Sequence, residues 1–225
     1  PDDKASFSVV ALLIAGSGPT DMDGNTTMGN IKNNSLKYLA EGLAENGIPS
    51  LRFDKRGVAS SAAAGLQESE LRFEHYIADA KGWIDFLSAD KRFTGVVVIG
   101  HSEGALIGLM ACRNNPKVKG YVSLAGAGRP ADEIIEAQVA AQMTPEAVQK
   151  QVADINASLK EGREVTDVPI YLQTLFRPSV QPYLISWYRY DPQKLIASLE
   201  IPKLIVQVQT DIQVSVQDAQ RLKHA

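Results

Sequence analysis

Gly95-Val96-Val97-Val98-Ile99-Gly100-His101-Ser102-Glu103-Gly104 is the stretch on which the reading of this chain turns. Its β-branched run, Val96 to Ile99, predicts a strand buried on both faces. The next five residues fit G-x-S-x-G, and the small, apolar sequence from Glu103 to Asn114 predicts a helix that Pro116 is placed to end. Glycine at 100 and 104 is what a tight strand-to-helix turn requires, because a side chain at either position would collide with a neighbouring strand or helix. Such a turn lifts the Ser102 hydroxyl clear of the sheet and sets it beside outward-pointing helix N–H groups. Ser102 is the candidate nucleophile, and the backbone N–H of Glu103 a candidate donor to an oxyanion.

On either side of this stretch, apolar runs alternate with helical patterns, the signature of a parallel sheet covered by helices. Further strands are expected over residues 7–15, 50–53, 118–124 and 203–208. Ile31, Leu36, Leu39 and Leu43 recur at helical spacing before Asn46-Gly47 stops them, and a second helix is expected from about 70 to 87. From about Gly128 to Tyr190 the pattern changes. Helical stretches at 131–143, 145–161 and 180–188 follow one another without a strand, with Thr144-Pro145 as cap and first position and Gly162 as a stop. This excursion predicts a helical cap inserted over the carboxyl ends of the strands. It divides the chain into a core (1–128), a cap (129–190) and a continued core (191–225). Asp191-Pro192 opens another short helix, and Ser215 with Asp218 forms a capping box for the last one.

Composition narrows the classes. The 225 residues are 44% hydrophobic and 22% charged, enough for one large core with an insertion. A net charge of -3 gives no electrostatic footprint for nucleic acid. The lone Cys112 excludes an internal disulfide, and the longest apolar run, Val9 to Ala15, is strand-sized rather than the roughly 18 residues of a membrane span. Asp21, Asp23 and Asn25 have the alternate spacing of a calcium loop, but Thr26 and Lys32 stand where that loop needs glycine and glutamate. No metal and no organic cofactor is expected.

A serine nucleophile needs a base, and the base an orienting acid. Asp211 follows the strand after the cap and is the candidate acid; Asp218 lies inside the next helix and is less well placed. Gly16-Ser17-Gly18-Pro19 follows the first strand, and small residues there let the backbone approach a substrate carbonyl, which makes the Ser17 N–H the second candidate oxyanion donor. A dinucleotide fingerprint fits less well, since the third glycine and a nearby helix start are missing. The chain has three histidines. His75 sits on a helix far upstream, His101 adjoins the serine with its side chain expected to project away, and His224 follows Asp211 too closely for another strand to intervene. The base is therefore expected beyond Ala225, and the gene product is expected to be longer at both ends. Asp54-Lys55-Arg56-Gly57 reads as loop fastening, with Asp54 and Arg56 tying down backbone. Trp83, Tyr183 and Trp187 read as packing, the latter two in a position to line a pocket.

Gly16-Ser17-Gly18-Pro19-Thr20-Asp21, Phe53-Asp54-Lys55-Arg56-Gly57, Gly100-His101-Ser102-Glu103-Gly104 and Thr210-Asp211-Ile212-Gln213-Val214 together resemble bacterial α/β-hydrolases of the serine esterase type, loosely grouped with dienelactone hydrolases. The likeness extends to Ser123-Leu124-Ala125-Gly126-Ala127-Gly128 and Arg177-Pro178-Ser179-Val180-Gln181-Pro182-Tyr183. It implies an α/β-hydrolase fold with strands before Pro1, Ser102 as nucleophile, Asp211 as acid and a histidine in a closing loop. Two departures stand out: Val208 where the family usually has glycine, and serine where dienelactone hydrolases proper use cysteine. Family members commonly carry export signals, which points to a periplasmic or secreted placement. The activity implied is cleavage of a small-molecule carboxylic ester of short-to-medium acyl length through an acyl-enzyme on Ser102. The alternatives are thioesterase or peptidase chemistry on the same machinery, or a ligand-binding shell without turnover. The 225 residues alone are expected to be inactive.

Overall fold

The computed structural model describes residues 9–26 and 31–225. Val10–Ile14 (β1) buries every side chain, as its unbroken apolar sequence requires of a central strand. Around it Ser50–Arg52 (β2), Val96–His101 (β3), Val118–Leu124 (β4) and Lys203–Val206 (β5) form one parallel sheet in the order β2-β1-β3-β4-β5. The chain starts in the middle, winds to one edge, then crosses back over β1 to build the other half. Helices Ser35–Glu45 (α1), Phe73–Ala89 (α2) and Glu103–Cys112 (α3) make the connections. Nearly every residue of α3 is buried, which is why its sequence is apolar all round rather than striped.

Between β4 and the return to the sheet lie Ala131–Ala141 (α4), Glu146–Lys160 (α5), Gln173–Phe176 (α6) and Gln181–Trp187 (α7), then Pro192–Ala197 (α8). The insertion shares a core with the sheet layer: Val152, Leu159, Phe176 and Tyr183 belong to the same buried cluster as Val10, Leu12 and Ile107. Gln181 is fully buried and uses its whole amide, donating to the carbonyls of Val165 and Phe176 and accepting from the Val165 N–H. The chain closes with Val216–His224 (α9), whose capping box pairs Ser215 with Asp218 as the sequence predicts. Among the described residues no helix is long and apolar enough to cross a membrane.

Three expectations are corrected. Ile31 lies outside α1, in an isolated bridge to Thr26. Thr144 does not cap α5: Pro145 holds that position, and the Thr144 hydroxyl donates instead to the Val139 carbonyl at the end of α4. The last strand stops at Val206 rather than Val208, because the Gln207 side chain turns to donate to Asp211 and to the Val214 carbonyl, which fastens the turn beyond. Phe7 and Ser8, the start of the first expected strand, lie outside the described residues.

Candidate active site

The strand order reverses between β1 and β3, and the carboxyl ends of strands flanking such a reversal diverge to open a crevice. Both segments singled out in the sequence emerge there. Ser102 joins β3 to α3 with φ 54° and ψ -120°, a left-handed conformation that a non-glycine residue adopts only when its surroundings impose it. Those surroundings are the two glycines. A Cβ at Gly100 would lie 2.1 Å from the Gly104 carbonyl oxygen, and one at Gly104 would lie 2.4 Å from that of Ala15 in the β1 loop. Gly16 is pressed against the same turn, since a Cβ there would meet Ser102 Cβ at 3.4 Å and His101 Nδ1 at 3.1 Å.

A cavity of about 730 Å³ lies over this turn. Ser17, Gly18, Ser102 and Glu103 line it from the sheet side, and Ile134, Ile135, Leu175, Leu184 and Trp187 from the inserted helices. Its lining is mostly apolar, with uncharged polar groups such as Gln138, Thr174 and Gln213, and the charged groups that line it are already paired. Lys55 is bound to Glu103, Arg56 to Asp79, Arg129 to Asp218, and Arg177 to Glu68. Trp187 stacks on Phe73 at 5.7 Å, which fixes the wall that α7 presents to α2.

Asp211 stands in the turn after β5. One carboxylate oxygen accepts from the backbone N–H groups of Gln213 and Val214, and the other from the Gln207 amide. Asp218, the less favoured acid, is fully buried and engaged by Arg129, Ser215 and the Gly128 N–H. Burial raises its pKa, but these hydrogen bonds and the Arg129 charge outweigh that and hold it below the usual carboxylate value.

The histidines sort differently. His75 Nδ1 accepts from the Arg72 N–H at 3.1 Å, closing the start of α2, and His224 ends α9. At His101 partial burial lowers the imidazole pKa, while the Asp211 charge pulls the other way. Asp211 and His101 thus share an electrostatic neighbourhood, yet no hydrogen bond joins either of them to Ser102 among the described residues. Cys112 is no rival nucleophile: burial pushes its thiol up to about 12.

Asp54 and Arg56 fasten loops as the sequence suggests. Asp54 accepts from the N–H groups of Met22 and Ser60 and from the Ser60 hydroxyl, and Arg56 forks onto Asp79 and reaches the Ala64 carbonyl. The residue that sequence reasoning missed is Lys55. Its side chain is 3% exposed and points inward, bonded to Glu103 Oε2 at 2.7 Å and to the Gly16 carbonyl at 3.0 Å. A lysine flanked by two loop-fastening charges gave no signal; only the fold, which closes a separation of 48 in sequence between it and Glu103, reveals the pair.

Residues 32–223 match the family described as serine aminopeptidase, S33. A search of curated proteins gives no match. Among solved structures, a lipase-esterase related protein from Clostridium acetobutylicum superposes with a TM-score of 0.59 at 18% identity, covering 99% of this chain and 83% of the other. An esterase of Pyrococcus furiosus gives 0.60 at 14% identity over 99% and 71%. Est1E from Butyrivibrio proteoclasticus, with ferulic acid bound, gives 0.65 at 13% over 100% and 78%. At these identities the likeness speaks for the fold alone, and that fold is the α/β hydrolase.

Proposed function

The chain belongs to the serine aminopeptidase S33 family of hydrolases, and on that premise we propose that it is a serine hydrolase of carboxylic esters with Ser102 as nucleophile. The observation that carries this reading is the left-handed Ser102 turn, which sits at the sheet's crevice with its residue lining an apolar cavity. Ser102 Oγ attacks the ester carbonyl and passes its proton to an imidazole. The tetrahedral oxyanion accepts hydrogen bonds from the N–H groups of Ser17 and Glu103, and the alcohol leaves with the proton. Water then repeats the sequence on the acyl-enzyme and releases the acid. Asp211 orients the imidazole, and no cofactor takes part. The inserted helices act as the cap that bounds the acyl pocket.

The base in this reading is a histidine outside residues 1–225, carried by a segment that pairs with β5. What supports it is the state of that strand: Leu204 is 56% exposed, and Ile212 just beyond it 88%. An apolar sheet edge of this kind asks for a covering partner.

The family description favours a second reading, cleavage of an amino-terminal peptide bond. Recognition of a free amino terminus calls for an unpaired carboxylate. Among the described residues, the two carboxylates that line the cavity, Glu68 and Glu103, are already bound to Arg177 and Lys55. The cations that line it are neutralised as well, which suits an uncharged acyl ester better than a strongly anionic thioester. The deciding experiment uses the full-length protein. Fluorophosphonate is expected to label Ser102 stoichiometrically and to leave Ser102→Ala unlabelled and inactive, and kcat/KM is expected to be highest for the ester among the ester, thioester and anilide of one acyl group. Absence of labelling overturns the nucleophile, and a preferred anilide overturns the ester.

A further inference from the structure

The Lys55–Glu103 pair is nearly inaccessible, with side chains 3% and 2% exposed. Burying two charges this completely is a poor way to stabilise a core, since packed apolar residues serve as well or better. Its position suggests another use. Lys55 Nζ donates to the Gly16 carbonyl, and Gly16 C=O shares a planar peptide unit with Ser17 N–H. In a trans peptide the two point in opposite directions, so fixing the carbonyl on the ammonium aims the Ser17 N–H the other way. The same ammonium holds Glu103 Oε2, and Glu103 contributes the first N–H of α3, one of those with no acceptor inside the helix. Tyr183, from the inserted helix α7, donates its hydroxyl to the other oxygen, Glu103 Oε1, at 2.5 Å. The Tyr76 ring lies against Lys55 Nζ, 4.2 Å from its centroid, and takes the remaining face of the ammonium.

We propose that Lys55, Glu103 and Tyr183 form a buried clamp that holds the Ser17 and Glu103 N–H groups at one fixed geometry, which makes Lys55 and Tyr183 positioning residues for acyl transfer. The inference rests on the serine-hydrolase reading above, because it gives those two N–H groups their task. Preorganised donors matter most when charge develops on the carbonyl oxygen, so the clamp acts on the transition state and leaves ground-state binding alone.

The test is kinetic and uses the full-length protein, with rates normalised to active sites titrated by a phosphonate at Ser102. Lys55→Met fills the same space without the charge. It is expected to lower kcat about 10- to 100-fold, less than outright loss of a donor, with KM within about twofold of wild type. Inhibition by an alkylboronic acid, whose tetrahedral adduct on Ser102 occupies the same donors, is expected to weaken in parallel. Tyr183→Phe removes only the hydroxyl and is expected to lower kcat several-fold in the same pattern; it carries the test if Lys55→Met does not fold. A folded, titratable Lys55→Met or Tyr183→Phe with wild-type kcat, or with the loss expressed in KM, overturns the clamp and leaves the hydrolase reading standing. A wild-type protein that the phosphonate does not label overturns both.

Discussion

At Gly104 the space for a side chain is closed by backbone, with the carbonyls of Ala15 and Ile14 at 2.4 and 2.5 Å from where a Cβ would sit. Backbone in the central strand cannot move aside as a flexible side chain does. Gly104→Ala is therefore expected to cost about 3 kcal/mol, read as a lower urea midpoint, and to displace Ser102. Gly82 is the matched contrast. It lies inside α2, and a methyl group there would have nothing within 4 Å, so Gly82→Ala is expected to raise stability by about 0.5–1 kcal/mol. At this scale the sequence was informative wherever chemistry and local geometry coincide. Ser102 and its glycines form one contiguous motif, and Asp211 follows a recognisable strand. Lys55 escaped because its partners come from three distant segments, and nothing local separates a buried lysine from a solvated one.

Among the elements, α9 shows how one carboxylate serves several ends. Asp218 completes the capping box with Ser215, receives a fork from Arg129 and accepts from the Gly128 N–H. Removing its charge leaves Arg129 without that partner, and Asp218→Asn is expected to cost about 3 kcal/mol at pH 7. Its pKa in the folded protein lies below the unfolded value, so its contribution is present in full above about pH 4 and fades as pH falls through the folded value. The gap between wild type and Asp218→Asn in urea unfolding is thus expected to shrink on going from pH 7 to pH 3; a constant gap would show that the carboxylate is not the source. Helix boundaries were the least legible features at this scale. Thr144 and Pro145 carry the right chemistry for a start, but the choice between adjacent caps is set by the Thr144 bond to Val139, which a sequence pattern does not encode.

For the molecule as a whole, the parallel sheet was legible in the alternation of strand and helix patterns, whereas the strand order was not, because pairing is decided between segments far apart in the chain. The order leaves β5 at an edge, with Leu204 and Val206 56% and 40% exposed. The 225-residue chain is expected to self-associate through this edge, and Leu204→Lys with Val206→Lys is expected to return it to monomer in sedimentation equilibrium at equal concentration. A chain already monomeric without the lysines would refute this. The inserted helices have a consequence of another kind. They leave the sheet layer at Gly128, pinned by Asp218, and return through α8, whose first turn Asp191 caps. A segment fastened at both ends to the part it interrupts, and sharing its buried core, is not a loose attachment: a different insertion would have to refill the space beside Val10, Leu12 and Ile107. Tyr183 adds a second condition, since an insertion without its hydroxyl would leave Glu103 Oε1 without that hydrogen bond.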